Sequence, residues 1–377
     1  MSNYNKTIPL WKKYLVFYCV VWVVFLSLAI SATGKESKPL IFGVKMIADP
    51  KPYAQNFALL KNAGINALFA DETLMADESF RIMARQNGMK LFLVIRAFLL
   101  DSKIDSLLGV CDNGLLTYNQ TEEGSWLNFA CPNNKTVRQK TIEKVKAAVK
   151  LIQPDVLSID FIRFYIFWEA VLPSTPAAKL QNSCFCPVCM EKFQTDTKVK
   201  IPHEIKDAQL RADWISKHVL AKFTAWKCTV IAGMVDEIVA AGRQEKPDLL
   251  FNLHAIPWRT KDFNQGIRRI VGQDFVLLGK KVDYLSPMCY SSMTGNTPAW
   301  VATVIKQIYR TAHVRILPSI QVKKEYSWEK EYSPAQFEKA LRAALKKPSQ
   351  GVVFYDLASL LKDTQRLEIV QKILTSK

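Results

Sequence analysis

Asp160 ends the run Val156-Leu157-Ser158-Ile159-Asp160, in which apolar and polar residues alternate. Successive side chains of a strand point to opposite faces. If Leu157 and Ile159 pack on one face, Ser158 and Asp160 share the other. The same alternation sets Asn252 and His254 against Phe251 and Leu253, and Lys45 against Val44 and Met46. Ser286, Met288 and Tyr290 share one face of a further run, and Leu317, Ser319 and Gln321 one face of another. A buried polar group costs free energy unless it is paired, so a face that collects several of them is a candidate site. A carboxylate there suits acid–base or nucleophilic catalysis. Arg163, three residues on, would hold Asp160 ionised and lower its pKa; the same pair also reads as a structural ion pair. His254 with Asn252 can hydrogen-bond hydroxyl groups, or His254 can be a satisfied core histidine.

The cysteines offer a second chemistry. Cys184-x-Cys186-x-x-Cys189 is closely spaced, with His203 as the nearby fourth candidate for a zinc site. A disulfide within this cluster, or free thiols, are the alternatives, and Cys111 with Cys131 forms a natural second bridge. Cys228 and Cys289 are expected buried and reduced. No Ser-His-Asp elbow, phosphate-binding loop or HExxH occurs, so serine-hydrolase, NTPase and zinc-protease readings lack their mechanism. The residues imply no cofactor.

Eight β-rich runs must position these groups: 40–47, 66–70, 90–95, 156–160, 249–253, 284–288, 316–320 and 351–354. Each is followed by a helical pattern, at 52–63, 74–86, 137–152, 213–241, 275–280, 299–312, 334–345 and 364–374. Eight strand–helix units in order predict a (β/α)8 TIM barrel. A doubly wound sheet is the alternative, weakened because no Gly-rich turn follows the first strand. Two connections are long, 97–135 after strand three and 161–212 after strand four, the second with a Cys-rich insert near 173–212. Trp126, Trp168, Trp258 and Trp328 fall in loops at C-terminal strand ends, where flat faces can stack on sugars or simply cap the mouth.

The chain has 377 residues, 49% hydrophobic and 23% charged, which excludes a disordered chain. Residues 14–30 are apolar and uncharged, follow Lys12-Lys13 and precede Ser31-Ala32-Thr33-Gly34. This is the layout of a signal peptide or signal anchor over 1–32, leaving 38–377 as an exported barrel, periplasmic, cell-surface or extracellular, with 14–30 as the membrane anchor if uncleaved. The net charge of +17 is spread along helices. No basic run is interleaved with aromatics, so a nucleic-acid partner is not expected.

Ser158-Ile159-Asp160-Phe161-Ile162-Arg163-Phe164, followed by Phe167-Trp168-Glu169, resembles the strand-four signature of glycoside-hydrolase-like TIM barrels of the hypothetical glycosyl hydrolase type. The Cys184–Phe193 segment resembles an insert seen in some of them, and Asp283–Tyr290 and Gly351–Tyr355 resemble their sixth and eighth strands. The resemblance covers roughly residues 40–375. It implies that Asp160 is a nucleophile or electrostatic stabiliser. Glycoside hydrolysis needs a second carboxyl group. Glu169, Asp71, Glu72 and Asp356 are the candidates, and Glu169 is favoured because it belongs to the matched motif. Lys45, Asp71, Arg163, Trp168, Asn252, His254, Trp258, Tyr290 and Gln321 are then the candidate substrate-binding residues. The expected activity is hydrolysis of an oligo- or polysaccharide. A non-catalytic carbohydrate-binding barrel and an envelope structural protein are the alternatives.

Overall fold

The computed structural model describes residues 39–376. The signal or anchor expected over residues 1–32 lies outside the described residues. The eight expected runs are all strands. They form one parallel sheet from β1 (Ile41–Lys45), β2 (Ala67–Asp71), β3 (Lys90–Arg96), β6 (Val156–Asp160), β7 (Leu250–Ala255), β8 (Tyr284–Pro287), β9 (Arg315–Ile316), β10 (Ser319–Gln321) and β11 (Gly351–Tyr355). Two short pieces, β4 (Leu99–Leu100) and β5 (Asn128–Phe129), make an antiparallel pair within the first long loop.

The sheet curls on itself. β1 pairs with β2 on one side and with β11 on the other, β10 pairs with β11, and β8 pairs with β9. The two end pieces, β9 and β10, are separated in the chain by only Leu317-Pro318. Proline has no N–H to give to a ladder, and the strand breaks there. The Leu317 N–H still donates to Leu285 O at 2.9 Å, and Pro318 O accepts from the Val353 N–H at 2.9 Å. The architecture is α/β and TIM-barrel-like.

Helices follow the strands as the apolar spacing predicts, with two corrections. The expected helix over 74–86 is two, Glu72–Ala76 and Glu78–Gln86, because Asp77 turns out of helical geometry and caps the second, accepting from the Ser79 N–H at 2.9 Å. The helix expected over 213–241 likewise breaks at Val219, into Ala208–His218 and Leu220–Glu245.

The strand alternation separates two cores. Leu157, Ile159, Phe251 and Leu253 pack outward against the helices. Ile41, Ala67, Phe69, Phe92, Val156, Tyr284, Leu317 and Val353 pack inward and fill the lower interior. Phe69 stacks on Phe92 at 4.2 Å between ring centroids. Gly43 leaves the room for this, since a Cβ there would lie 2.5 Å from the Phe69 ring. Above this apolar floor the inward positions turn polar, at Ser158, Asn252 and Ser286, and then at Lys45, Asp160 and His254.

Neither expected disulfide forms. All seven cysteines among the described residues are buried and unbridged. Cys131 lies not with Cys111 but against Cys186 and Cys189, at 3.5 and 3.4 Å between sulfurs, well beyond a covalent S–S bond. His203 is almost fully exposed beside Glu204 and belongs to no cluster.

Candidate active site

β6 ends at the mouth, and its register sends Asp160 inward because Leu157 and Ile159 take the helix side. The next residue, Phe161, has φ of +51°, an uncommon conformation for a bulky side chain. The Phe161 N–H donates back to Asp160 Oδ1 at 2.8 Å. Asp160 Oδ2 lies 3.7 Å from Lys45 Nζ, which reaches in from the end of β1. Burial opposes the Asp160 charge. The His254 ring, the Lys45 ammonium, the Phe161 N–H and Arg163 outweigh it and hold the carboxyl below its ordinary value.

Arg163 is not the ion-pair partner that its spacing suggests. Its guanidinium is buried, donates to Ile166 O at 2.9 Å and Phe164 O at 3.3 Å, and stacks over the Phe129 ring at 4.7 Å. It braces the start of the second long loop and acts on the nearby carboxyls only through its field.

That loop carries Glu169 in a short turn, Trp168–Ala170. Glu169 is 7% exposed, and its Oε2 has no hydrogen-bond partner. Burial pushes this carboxyl up to about 7; Arg163 opposes the shift and the Asp160 charge adds to it. The two carboxyl groups therefore line one cavity with opposite tendencies. Asp160 is held ionised and Glu169 protonated up to near neutral pH.

The cavity has a volume of about 420 Å³. Its wall is aromatic: Trp126, Phe161, Trp168, Tyr290, Tyr326 and Tyr355 all line it. Tyr290 stacks on Tyr355 at 5.0 Å, and its hydroxyl accepts from Lys45 Nζ at 3.5 Å. Tyr326 stacks on Trp328 at 4.2 Å, with Phe167 edge-on to both. Flat aromatic faces beside buried carboxyl groups suit a ligand with apolar ring faces and polar edges.

Several candidate residues lie elsewhere. Asn252 and His254 form a closed network beneath the cavity rather than facing it. Ser286 Oγ donates to Asn252 Oδ1 at 2.8 Å, Asn252 Nδ2 donates to Ser158 Oγ at 2.7 Å, and Ser158 Oγ meets His254 Nε2 at 2.9 Å. Burial pulls the His254 ring down to about 3, helped by Lys45 and opposed by Asp160. The ring is thus neutral at ordinary pH and lends Asp160 positive charge only in acid; Lys45, whose own pKa is lowered by burial against the pull of Asp160, is the other cation beside the carboxyl.

Gln321 is also a brace. Its Oε1 accepts from the Met293 N–H at 2.9 Å, and its Nε2 donates to Glu329 Oε2 at 2.8 Å. Glu329 Oε1 in turn accepts from the Tyr326 N–H at 3.0 Å, which fixes the Tyr326 loop. Trp258 packs on Phe263 at 4.7 Å and lines a different cavity, with Arg259, Asp262 and Trp300.

The other carboxyl candidates have structural partners. Asp71 lies at the cavity edge but caps a helix, accepting from the Leu74 N–H at 3.0 Å. Asp356 caps another through the Ser359 N–H, and Glu72 pairs with Lys144 at 2.7 Å. Arg96, Tyr326 and Tyr355 line the cavity without having been singled out. Arg96 and Tyr355 end β3 and β11, whose runs are apolar on both faces and carry no alternation to mark them. Tyr326 sits in an irregular loop that carries no periodic signal.

No family model and no curated protein sequence matches this chain. Solved structures do match in fold. The glycoside hydrolase domain of PgaB (BpsB) from Bordetella bronchiseptica is similar at a TM-score of 0.66 and 9% identity, over 89% of this chain and 99% of that one. A beta-galactosidase from the psychrophilic Marinomonas ef1 is similar at a TM-score of 0.64 and 9% identity, over 89% of this chain and 59% of that one. Alpha-L-fucosidase isoenzyme 2 from Paenibacillus thiaminolyticus follows at a TM-score of 0.55 and 12% identity, over 89% of this chain and 49% of that one. The chain thus spans nearly all of the first and only about half to three-fifths of the other two.

Proposed function

We propose that this protein is a glycoside hydrolase acting on an oligo- or polysaccharide, with Asp160 and Glu169 as its two carboxyl groups. The observation that carries the reading is their opposite polarisation within one aromatic-walled cavity. Glycoside hydrolysis asks for this division, one carboxyl held as acid and one as carboxylate. Glu169 would protonate the glycosidic oxygen as the bond to it breaks. Asp160 would supply the negative charge on the other side, either attacking the anomeric carbon or activating water. Lys45 and the Phe161 N–H keep that charge available, and Trp126, Tyr290 and Tyr355 offer faces for the sugar rings. The fold likeness to glycoside hydrolase chains supports the reading.

A carbohydrate-binding barrel without turnover is the second reading. It is favoured by how little of Glu169 reaches the cavity surface. A panel of oligosaccharides and aryl glycosides, assayed with wild type and Asp160→Asn, separates the two. Turnover lost in Asp160→Asn supports the hydrolase; sugar binding with no turnover in either protein supports the binding module.

We further propose that residues 1–32 export the chain or anchor it outside the cytoplasm. Fractionation of cells producing the full chain, with N-terminal sequencing, tests this; full-length protein recovered in the cytoplasm would refute it.

A further inference from the structure

We propose that Cys131, Cys184, Cys186 and Cys189 hold one zinc ion that fastens the first long loop to the second. The four sulfur atoms are buried and lie within 4.8 Å of one another. A tetrahedral zinc site with bonds of about 2.3 Å needs sulfurs roughly 3.8 Å apart. Cys131 lies 3.5 Å from Cys186 and 3.4 Å from Cys189, close to that spacing and far from a disulfide. A disulfide would use two of the four and leave two thiols buried against it, whereas a metal uses all four equally. A buried tetrahedral set of four thiolates suits zinc or iron, and zinc is the commoner structural ion at such closed sites.

Three of the sulfurs accept hydrogen bonds from nearby N–H groups. Asn133 Nδ2 donates to Cys189 Sγ at 3.1 Å, the Val110 N–H to Cys184 Sγ at 3.3 Å, and the Cys189 N–H to Cys186 Sγ at 3.4 Å. Donors of this kind orient metal ligands and moderate their charge. The buried Lys227 amine donates to Asn182 Oδ1 at 2.7 Å and to the Ile270 and Arg269 carbonyls at 2.7 and 3.1 Å. Four thiolates on one divalent ion would carry a net charge of about −2, which the N–H donors around the sulfurs moderate. Binding would release the thiol protons to solvent.

The placement gives the ion a task. Cys131 ends the loop that carries Trp126 and Phe129. The other three follow the segment that carries Arg163 and Glu169. Closing the cluster would fix the Arg163–Phe129 stack and the wall on which Glu169 is set. The ion is a clamp in this arrangement and does not touch substrate.

The full-length wild-type chain, purified without chelators, should carry one zinc per chain by elemental mass spectrometry. An organomercurial that blocks thiols should release that zinc as four thiols react. Cys131→Ser and Cys186→Ser should lose it, while Cys228→Ser and Cys289→Ser keep it. If the first two variants do not fold, cobalt substitution in wild type decides, since a tetrahedral thiolate site gives strong visible bands. A chain that stays metal-free with equimolar zinc, that binds iron in its place, or that yields a disulfide among these four would overturn the proposal. Metal content is read without any sugar, so failure of the hydrolase reading leaves this test intact, and the converse holds.

Discussion

The Asp160 carboxylate and the Lys45 ammonium meet 3.7 Å apart at the inner mouth of the barrel-like sheet, each about one-tenth exposed. They arrive from β6 and β1, which are separated in the sheet by β2 and β3. Removing one partner of a buried pair strands the other, which costs more than the pair itself contributes. Lys45→Met should therefore raise the Asp160 pKa, because the carboxylate loses that cation and keeps its burial. The acid limb of the pH–rate profile should move to higher pH. An unmoved acid limb would show that Lys45 does not set this charge.

Glu169 should govern the other limb. Its carboxyl is pushed up to about 7 by burial, so the acid form is present below that pH and lost above it. The rate should fall as pH rises through about 7, and Glu169→Gln should abolish that limb. A profile of unchanged shape in the variant would remove Glu169 from the chemistry.

The same shift has a consequence for stability. A carboxyl whose folded pKa is raised from 4.5 to about 7 favours the fold most below the unfolded value. That contribution, on the order of 3 kcal/mol, fades as pH rises from about 4.5 through about 7. Denaturant melts across this window should show wild type losing stability relative to Glu169→Gln. Parallel curves for the two would contradict the buried, protonated carboxyl.

Much of this arrangement is legible in the chain, for a physical reason. Strand alternation is local, so Leu157 and Ile159 are enough to turn Asp160 inward, and eight such runs are enough to order the sheet. What escapes is anything set by loops. Arg163 follows Asp160 by three residues, yet Phe161 bends the chain and Arg163 turns to the carbonyls of Phe164 and Ile166 instead. Cys131 joins a cluster more than fifty residues away, and no spacing encodes that meeting. Asn252 and His254 face inward as read, but inward at their level means a sealed network, because position along the strand decides whether a group sees the cavity. Trp258 fails for the same kind of reason: a loop at the correct end of its strand still carries it to a different hollow.

Two glycines test the packing. Gly351 has φ of +136°, and a Cβ there would fall 1.8 Å from Ile41 O. Gly351→Ala should cost more than about 3 kcal/mol or prevent folding, since backbone cannot yield as a side chain can. Gly233, inside the helix Leu220–Glu245, has nothing within 4 Å of a new Cβ. Gly233→Ala should stabilise by about 1 kcal/mol through helix propensity. Thermal melts giving the opposite order would contradict the packing at both positions.

The most direct test of the paired carboxyls compares leaving groups. The value of kcat/KM is measured for an oligosaccharide and for the matching activated aryl glycoside, in wild type, Asp160→Asn and Glu169→Gln. A general acid contributes roughly 10²–10⁴-fold where the leaving group needs its proton. Glu169→Gln should lose about that much on the oligosaccharide and far less on the aryl glycoside, while Asp160→Asn should lose activity on both. Equal losses on the two substrates in Glu169→Gln, or full activity in Asp160→Asn, would contradict the assignment.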